Sequence, residues 1–498
     1  MKKQSFIAGA FLLAVATGLG KIFSAIFKIP LDRLFLHADG MAVFNGAYNI
    51  YMFFFAAATA VIPLAISQLI ALSDSNEEEE EVVSTALIFT CTSLFVAALA
   101  IFTFATPLAT FIGMEDCSAA LRIMSSALIF CGMTATLRGY FQGKMNMYPS
   151  ALSQVSDSFG RLFMGFTLAY LLLGSPIGTI SAGAIGGVPF GAFLSALILM
   201  IWAKKSGLHI RLRFSPGRLK KLLTVAIPIT ITASLHPIFN LADTLSVVPT
   251  LKAIGFFAPQ NAFGCLSRSA TLYALPVSIA TAVAASVLPA VAEYTKKQDV
   301  TSLNRDASMA TRLALVISVP CAAGFMAISK GILNFLFENS SNSLTLVFIA
   351  LSAVFLSVGE VMACILQGAG KIRCTVIAAS VAIASKVILN IAFMYLWGIN
   401  GAAISTSASY MVFLAMLLYY IRTSTPVRLS PSNHLAKPLF CGVLCFTAAY
   451  LASMQFSTFL SIIIAAIVYI PAVFITKTLK ISELNQIFSG HKIEYSNR

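Results

Sequence analysis

The sequence predicts an all-α polytopic membrane protein of about fourteen transmembrane helices, arranged as two six-helix lobes plus two C-terminal helices. Three observations predict it. Apolar stretches recur along the whole chain, and each is long enough to cross a hydrocarbon core of about 30 Å. Of the 498 residues 58% are hydrophobic and only 10% charged, with a mean hydropathy of +0.88, far outside the soluble range. The remaining charges gather in alternate connections. A net charge of +14 would suggest a nucleic-acid partner in a soluble chain; here its placement in loops points to membrane orientation, and no nucleic acid is expected.

The first run, 5–27, follows Lys2 and Lys3. It is longer than the apolar core of a secretory signal and lacks a small-residue cleavage site, so it is expected to remain as the first helix. Runs at 41–72, 82–111, 119–140, 151–173 and 180–202 complete an N-lobe, 1–203. A basic linker, 204–221, leads to a C-lobe, 222–422, with runs at 222–247, 256–291, 309–333, 345–366, 374–397 and 402–421. A last pair, 439–454 and 459–475, lies within 436–476, and 477–498 form a tail.

Orientation follows from the basic residues. Lys144, Lys204, Lys205, Arg213, Lys296, Lys297, Lys371, Arg373 and Arg422 fall on the side of the N-terminus, whereas the opposite connections hold only Lys28, Arg33 and Lys252. The bias places both termini in the cytoplasm and makes the number of spans even. The acidic run 77–81 falls on the same inner side; acids weigh little in that bias, and a solvated loop is expected. The nine cysteines are scattered in apolar segments without metal-ligand spacing and read as inert core residues.

An internal repeat is visible. Ala58-Thr59-Ala60-Val61 of the second run recurs as Ala280-Thr281-Ala282-Val283 of the eighth, and Gln142-Gly143 closing the fourth recurs as Gln367-Gly368 closing the tenth. At the second offset Arg161 meets Lys386, so a cation recurs in the middle of both helices. Six crossings per half make the repeats parallel, with the substrate path expected at their interface.

A charge at the bilayer centre costs about 2.5–3.5 kcal/mol on insertion scales, so it demands a reason. Arg122, Arg138, Arg312 and Lys330 lie close enough to helix ends to snorkel. Arg161, Arg268 and Lys386 lie about 17 Å into their helices and cannot. Asp157 precedes Arg161 by one turn, the favourable order for a helical ion pair. Arg268 and Lys386 have no acid on their own turn, although Asp243 or Glu360 can reach them from other helices; the surplus of positive charge points to an anion-binding cavity. Lys21 and Lys28 share a face of the first helix, with Asp32 and Arg33 just beyond Pro30, where they can line its mouth or anchor it at the interface. Asp243, with Asn240 one turn earlier, and Glu360 are candidates for coupling sodium or protons; pairing of Asp243 with a cavity cation is the open alternative.

The stretches Gly20-Lys21-Ile22-Phe23, Lys28-Ile29-Pro30-Leu31, Asn45-Gly46-Ala47-Tyr48-Asn49-Ile50-Tyr51 and Pro63-Leu64-Ala65-Ile66-Ser67 resemble the opening of the stage V sporulation protein B family. Leu137-Arg138-Gly139-Tyr140-Phe141-Gln142-Gly143, followed by Pro149-Ser150-Ala151-Leu152-Ser153-Gln154, resembles its most distinctive stretch. That family belongs to the multidrug, oligosaccharidyl-lipid and polysaccharide exporter superfamily. The resemblance implies a bacterial cell-membrane protein with a cavity that opens alternately to either side, and a groove near the last two helices for a polyprenyl tail. MurJ-type lipid II flippases line the cavity with first-helix arginines; Lys21, Lys28 and Arg33 are the cations of matching type here, and the two lysines lack the bidentate fork of arginine.

The leading expectation is a flippase, working as a monomer, for a polyprenyl-pyrophosphate sugar precursor used in peptidoglycan or polysaccharide synthesis. Its head group would meet Lys21, Lys28, Arg33, Arg161, Arg268 and Lys386 while its tail stays in membrane lipid. A multidrug or cation antiporter of the same superfamily is the alternative, disfavoured because a cationic cargo calls for a cavity dominated by acids. A membrane-embedded glycosyltransferase would need a larger external loop or a clustered acidic site. The chain shows neither a P-loop nor a zinc motif, so no cofactor is expected apart from a coupling ion.

Overall fold

A computed structural model describes residues 6–59, 62–71, 73, 75–208, 213–428 and 436–479, which contain helices and no strand. The first two apolar runs become α1 (Phe6–Leu31), a π-helical turn (Asp32–Leu36), α2 (His37–Thr59) and α3 (Ile62–Ala71). The third to sixth become α4 (Asn76–Thr103) with the short α5 (Ala105–Phe111), then α6 (Cys117–Gly143), α7 (Tyr148–Leu171) and α8 (Ile177–Lys205). The seventh is broken into α9 (Pro216–Ala233) and α10 (Leu235–Ala253). There follow α11 (Pro259–Lys297), α12 (Val300–Ala327), the short α13 (Ser329–Phe337), α14 (Ser343–Gly368), α15 (Ile372–Trp397) and α16 (Ile399–Ser424). The closing pair is α17 (Lys437–Ser453) and α18 (Thr458–Ile475). Among the described residues ten helical segments are long and apolar enough to cross a membrane, and α1, α7, the α9–α10 pair and α17 stand where the other crossings are predicted.

Two departures from the hydropathy reading have local causes. The acidic run is the first turns of α4 rather than a loop: the Ser75 hydroxyl accepts from the Glu78 amide at 3.3 Å, and the carboxylates sit at the positive end of the helix. Lys144 pairs with Glu79, and Arg218 pairs with Glu78 and Glu81, so the run is tied to two other segments. The seventh crossing breaks at Ser234 because Pro237, three positions into the next helix, has no N–H to offer the Ala233 carbonyl. Asp299 caps α12, and hydrogen bonds from the Ser302 hydroxyl and amide hold its carboxyl below the usual carboxylate range.

The chain forms two compact units. The first comprises Met1–Arg268, Leu336–Glu338 and Ala379–Ser405. In it α8 packs along α7 and α6, α1 lies on α7, and α6 also meets α2, α3 and α4. The α7–α8 approach depends on absent side chains: a β-carbon at Gly187 would fall on the Arg161 carbonyl oxygen, and one at Gly191 on that of Asp157. Gly191→Ala is therefore expected to cost about 1–3 kcal/mol and lower the melting temperature in detergent. Gly217→Ala, where a β-carbon meets nothing within 4 Å, is the control that should leave melting unchanged.

In the second unit, Ser269–Phe335, Asn339–Ala378 and Thr406–Arg498, α12 packs on α14 and α17, and α17 pairs with α18. The Tyr469 hydroxyl ties α18 to the Val316 carbonyl of α12 at 2.9 Å. The repeated Gln-Gly pairs have the same role in each unit. Gly143 ends α6 where a β-carbon would strike Ile70 at 2.7 Å, and Gly368 ends α14 where one would strike the Leu288 carbonyl at 2.8 Å.

Candidate functional site

In the first unit α1, α2, α7 and α8 enclose a cavity of about 190 Å³, whose lining includes Phe27, Lys28, Phe44, Tyr48, Ser158 and Arg161. Lys28 enters it from the last turn of α1. Its ammonium donates to the Asn45 amide oxygen at 3.3 Å and lies 4.8 Å from the Tyr48 ring centroid and 5.9 Å from that of Phe44. Those two rings are one turn apart on α2 and stack at 5.7 Å, so they offer the cation a paired π surface. Lys28 takes part in no ion pair among the described residues.

Arg161 faces the same cavity from α7 in a different electrostatic state. Its fork grips Asp157, with Nε donating to Oδ1 at 3.0 Å and Nη2 to Oδ2 at 2.7 Å. Nη1 reaches the Tyr48 hydroxyl at 3.4 Å, and the guanidinium lies 5.6 Å from the Phe55 centroid. Of the two readings the sequence left open, self-neutralisation by the acid one turn earlier is the arrangement found. Tyr48 touches both cations, and among the described residues Lys28 is the cation of the cavity lining without an acid partner.

The remaining expected residues are placed elsewhere. Arg268 is not short of an acid: it holds Asp32 of the π-helical turn through two hydrogen bonds of 2.8 and 2.6 Å, with both groups buried. Its guanidinium also lies 5.4 Å from the Phe337 ring. Lys386 is enclosed and pairs with Asp243 at 2.6 Å. The surplus of mid-membrane positive charge inferred for these two residues is thus cancelled by acids from other helices. Arg33 pairs with Glu338, both largely exposed. Lys21 lies on α1, but its side chain is outside the described residues. Asn240 contacts the His236 ring at 3.3 Å one turn back, and Glu360 is half-buried on α14 in the second unit.

Two participants, Tyr48 and Asn45, escaped the sequence reading as site residues, and one cation outside the cavity lining, Arg138, is placed differently from its reading. Tyr48 and Asn45 lie in the quoted motif of α2, yet nothing local says that they face Lys28. Arg138, read as snorkelling, points inward: it is 6% exposed and donates to the hydroxyls of Ser153 and Ser195, each at 2.9 Å. The serine at 153 belongs to the same distinctive stretch as Arg138, which was the available signal. Among the described residues no three His, Cys, Asp or Glu side chains converge as metal ligands.

Comparison with known proteins agrees with this architecture. The lipid II flippase MurJ of Bacillus subtilis is 25% identical over 452 residues, covering 84% of this chain and 82% of its own. The uncharacterized membrane protein YabM of the same organism is 27% identical over 478 residues, covering 92% and 88%. Stage V sporulation protein B of B. subtilis is 25% identical over 340 residues, 64% of each chain. Among solved structures, an inward closed conformation of lipid II flippase MurJ superposes with a TM-score of 0.73 at 18% identity, covering 93% of this chain and 98% of that one. An inward-facing multidrug resistance MATE family transporter superposes with a TM-score of 0.68 at 17% identity, covering 84% and 98%. These likenesses show a shared all-helical membrane fold. The model of the polysaccharide biosynthesis protein family matches residues 6–295, more than half of the sequence, and the chain belongs to that family.

Proposed function

We propose that this protein translocates the anionic head group of a polyprenyl-linked sugar precursor, lipid II or a relative of it, across the bacterial cell membrane by alternating access, without chemistry on the cargo. The observation that carries this reading is the Lys28 ammonium in the cavity, held by one amide oxygen and two ring faces and paired with no acid among the described residues. A phosphate oxygen offers that ammonium a stronger, charge-assisted hydrogen bond than the amide does. Arg161 contributes orientation more than net charge, since Asp157 fixes its fork. The polyprenyl tail stays in lipid, and the bias of basic residues among the connections supports cytoplasmic termini. Relatives named as flippases support the same substrate class.

A cation antiporter shares the fold, but its cargo would meet Lys28 and Arg161 in the cavity lining. The test is native mass spectrometry of the purified protein with a polyprenyl-pyrophosphate disaccharide and with tetraphenylphosphonium. The pyrophosphate lipid should bind more tightly, and its affinity should fall as salt is raised. Tighter binding of tetraphenylphosphonium would overturn the flippase reading in favour of the antiporter.

A further inference from the structure

Lys386 does more than pair with one carboxylate. Four oxygens from α10, α15 and α16 converge on its buried Nζ: Asp243 Oδ1 at 2.6 Å, Asn390 Oδ1 at 3.1 Å, Ser405 Oγ at 3.1 Å and the Ala402 carbonyl at 3.4 Å. Each oxygen is held in place by a further contact. The Asn390 amide nitrogen donates to Asp243 Oδ1 at 2.9 Å and to Ser246 Oγ at 2.8 Å, which turns its oxygen toward Nζ. The Ser405 hydroxyl lies 2.6 Å from Asn390 Oδ1 and 2.8 Å from the Ala402 carbonyl, so its hydrogen is engaged and a lone pair is left for the ammonium.

A carboxylate, an amide oxygen, a hydroxyl and a main-chain carbonyl make the donor set of a hard-cation site. An ion pair needs only the first of them. We propose that α10, α15 and α16 form a monovalent-cation cage in which the Lys386 ammonium permanently takes the place of a mobile ion, so that the protein draws neither sodium nor potassium there. On this proposal the Asp243 carboxylate serves the Lys386 ammonium in place of an alkali ion. The inference concerns the cage alone and stands apart from the identity of the cargo.

The test is to remove the tethered cation and keep the oxygens. Melting of the full-length protein in detergent is measured in sodium chloride, potassium chloride and choline chloride at equal ionic strength, choline being too large for the cage. The wild type should melt alike in all three. Lys386→Ala should melt lowest in choline and recover in sodium or potassium by about 2–4 °C or more, with a concentration dependence that saturates. Adding Asp243→Asn should abolish the ion response while relieving the uncompensated charge. If Lys386→Ala does not survive extraction, Lys386→Ser, which supplies one more oxygen, is read in the same way. Three results would overturn the proposal: a sodium or potassium response in the wild type that Asp243→Asn removes, identical melting of folded Lys386→Ala in all three salts, or failure of both lysine variants to fold in any of them.

Discussion

Asp32→Asn is expected to lower stability by about 3–5 kcal/mol, because it leaves the Arg268 guanidinium buried and uncompensated. Arg268 is 2% exposed and Asp32 not at all, so neither charge can be rescued by water. The aspartate opens the π-helical turn, and His37 at its far end holds φ 51° and ψ −164°, a conformation costly for a residue with a β-carbon. The two hydrogen bonds from Arg268 hold that turn in place. Asp32→Asn/Arg268→Met should recover most of the loss, since an apolar side chain of similar length can pack against Phe337 without a charge to bury. Thermal melting monitored by fluorescence-detected size exclusion distinguishes the outcomes. A single variant that melts like the wild type would show that the pair does not hold the turn.

Lys28→Gln is expected to weaken binding of a pyrophosphate lipid by about 10- to 100-fold, from the loss of one charge-assisted hydrogen bond worth about 1.5–3 kcal/mol. It should also flatten the salt dependence of binding, because the uncompensated charge of the cavity is gone. The fold should survive, since Lys28 is half-buried and no acid loses its partner. Lys28→Arg should retain affinity or raise it, because a guanidinium keeps the charge and adds a bidentate fork. Arg161→Gln is the informative contrast: it strips Asp157 of its partner and should act first on stability. Titration of the four proteins with the same lipid, with melting curves in parallel, separates the two effects. Unchanged affinity in well-folded Lys28→Gln would remove the lysine from the binding site.

The local sequence determined whatever depends on neighbours along the chain. Apolar runs become helices because a segment inside lipid must satisfy its own backbone hydrogen bonds, a condition met residue by residue. The Gln-Gly closures of α6 and α14 were legible for the same reason, as was the Asp157–Arg161 pair, whose partners are one turn apart. Even the helical start of the acidic run has a local signal in Ser75, which hydropathy overlooks. Charge partners across helices are another matter. Asp32 and Arg268 are 236 positions apart, and only the packing of α11 beside the turn after α1 brings them within 2.6 Å. Asp243 meets Lys386 through the approach of α10 and α15, which are also far apart in the chain. Hydropathy counts Arg268 and Lys386 as a cost at the membrane centre but is silent on which acids cancel them, because cancellation depends on distance in space and on exclusion of water. The tertiary structure therefore decided that three mid-membrane cations are neutral pairs, that Arg138 turns inward onto two serines, and that Lys28, among the described residues, faces the cavity without an acid.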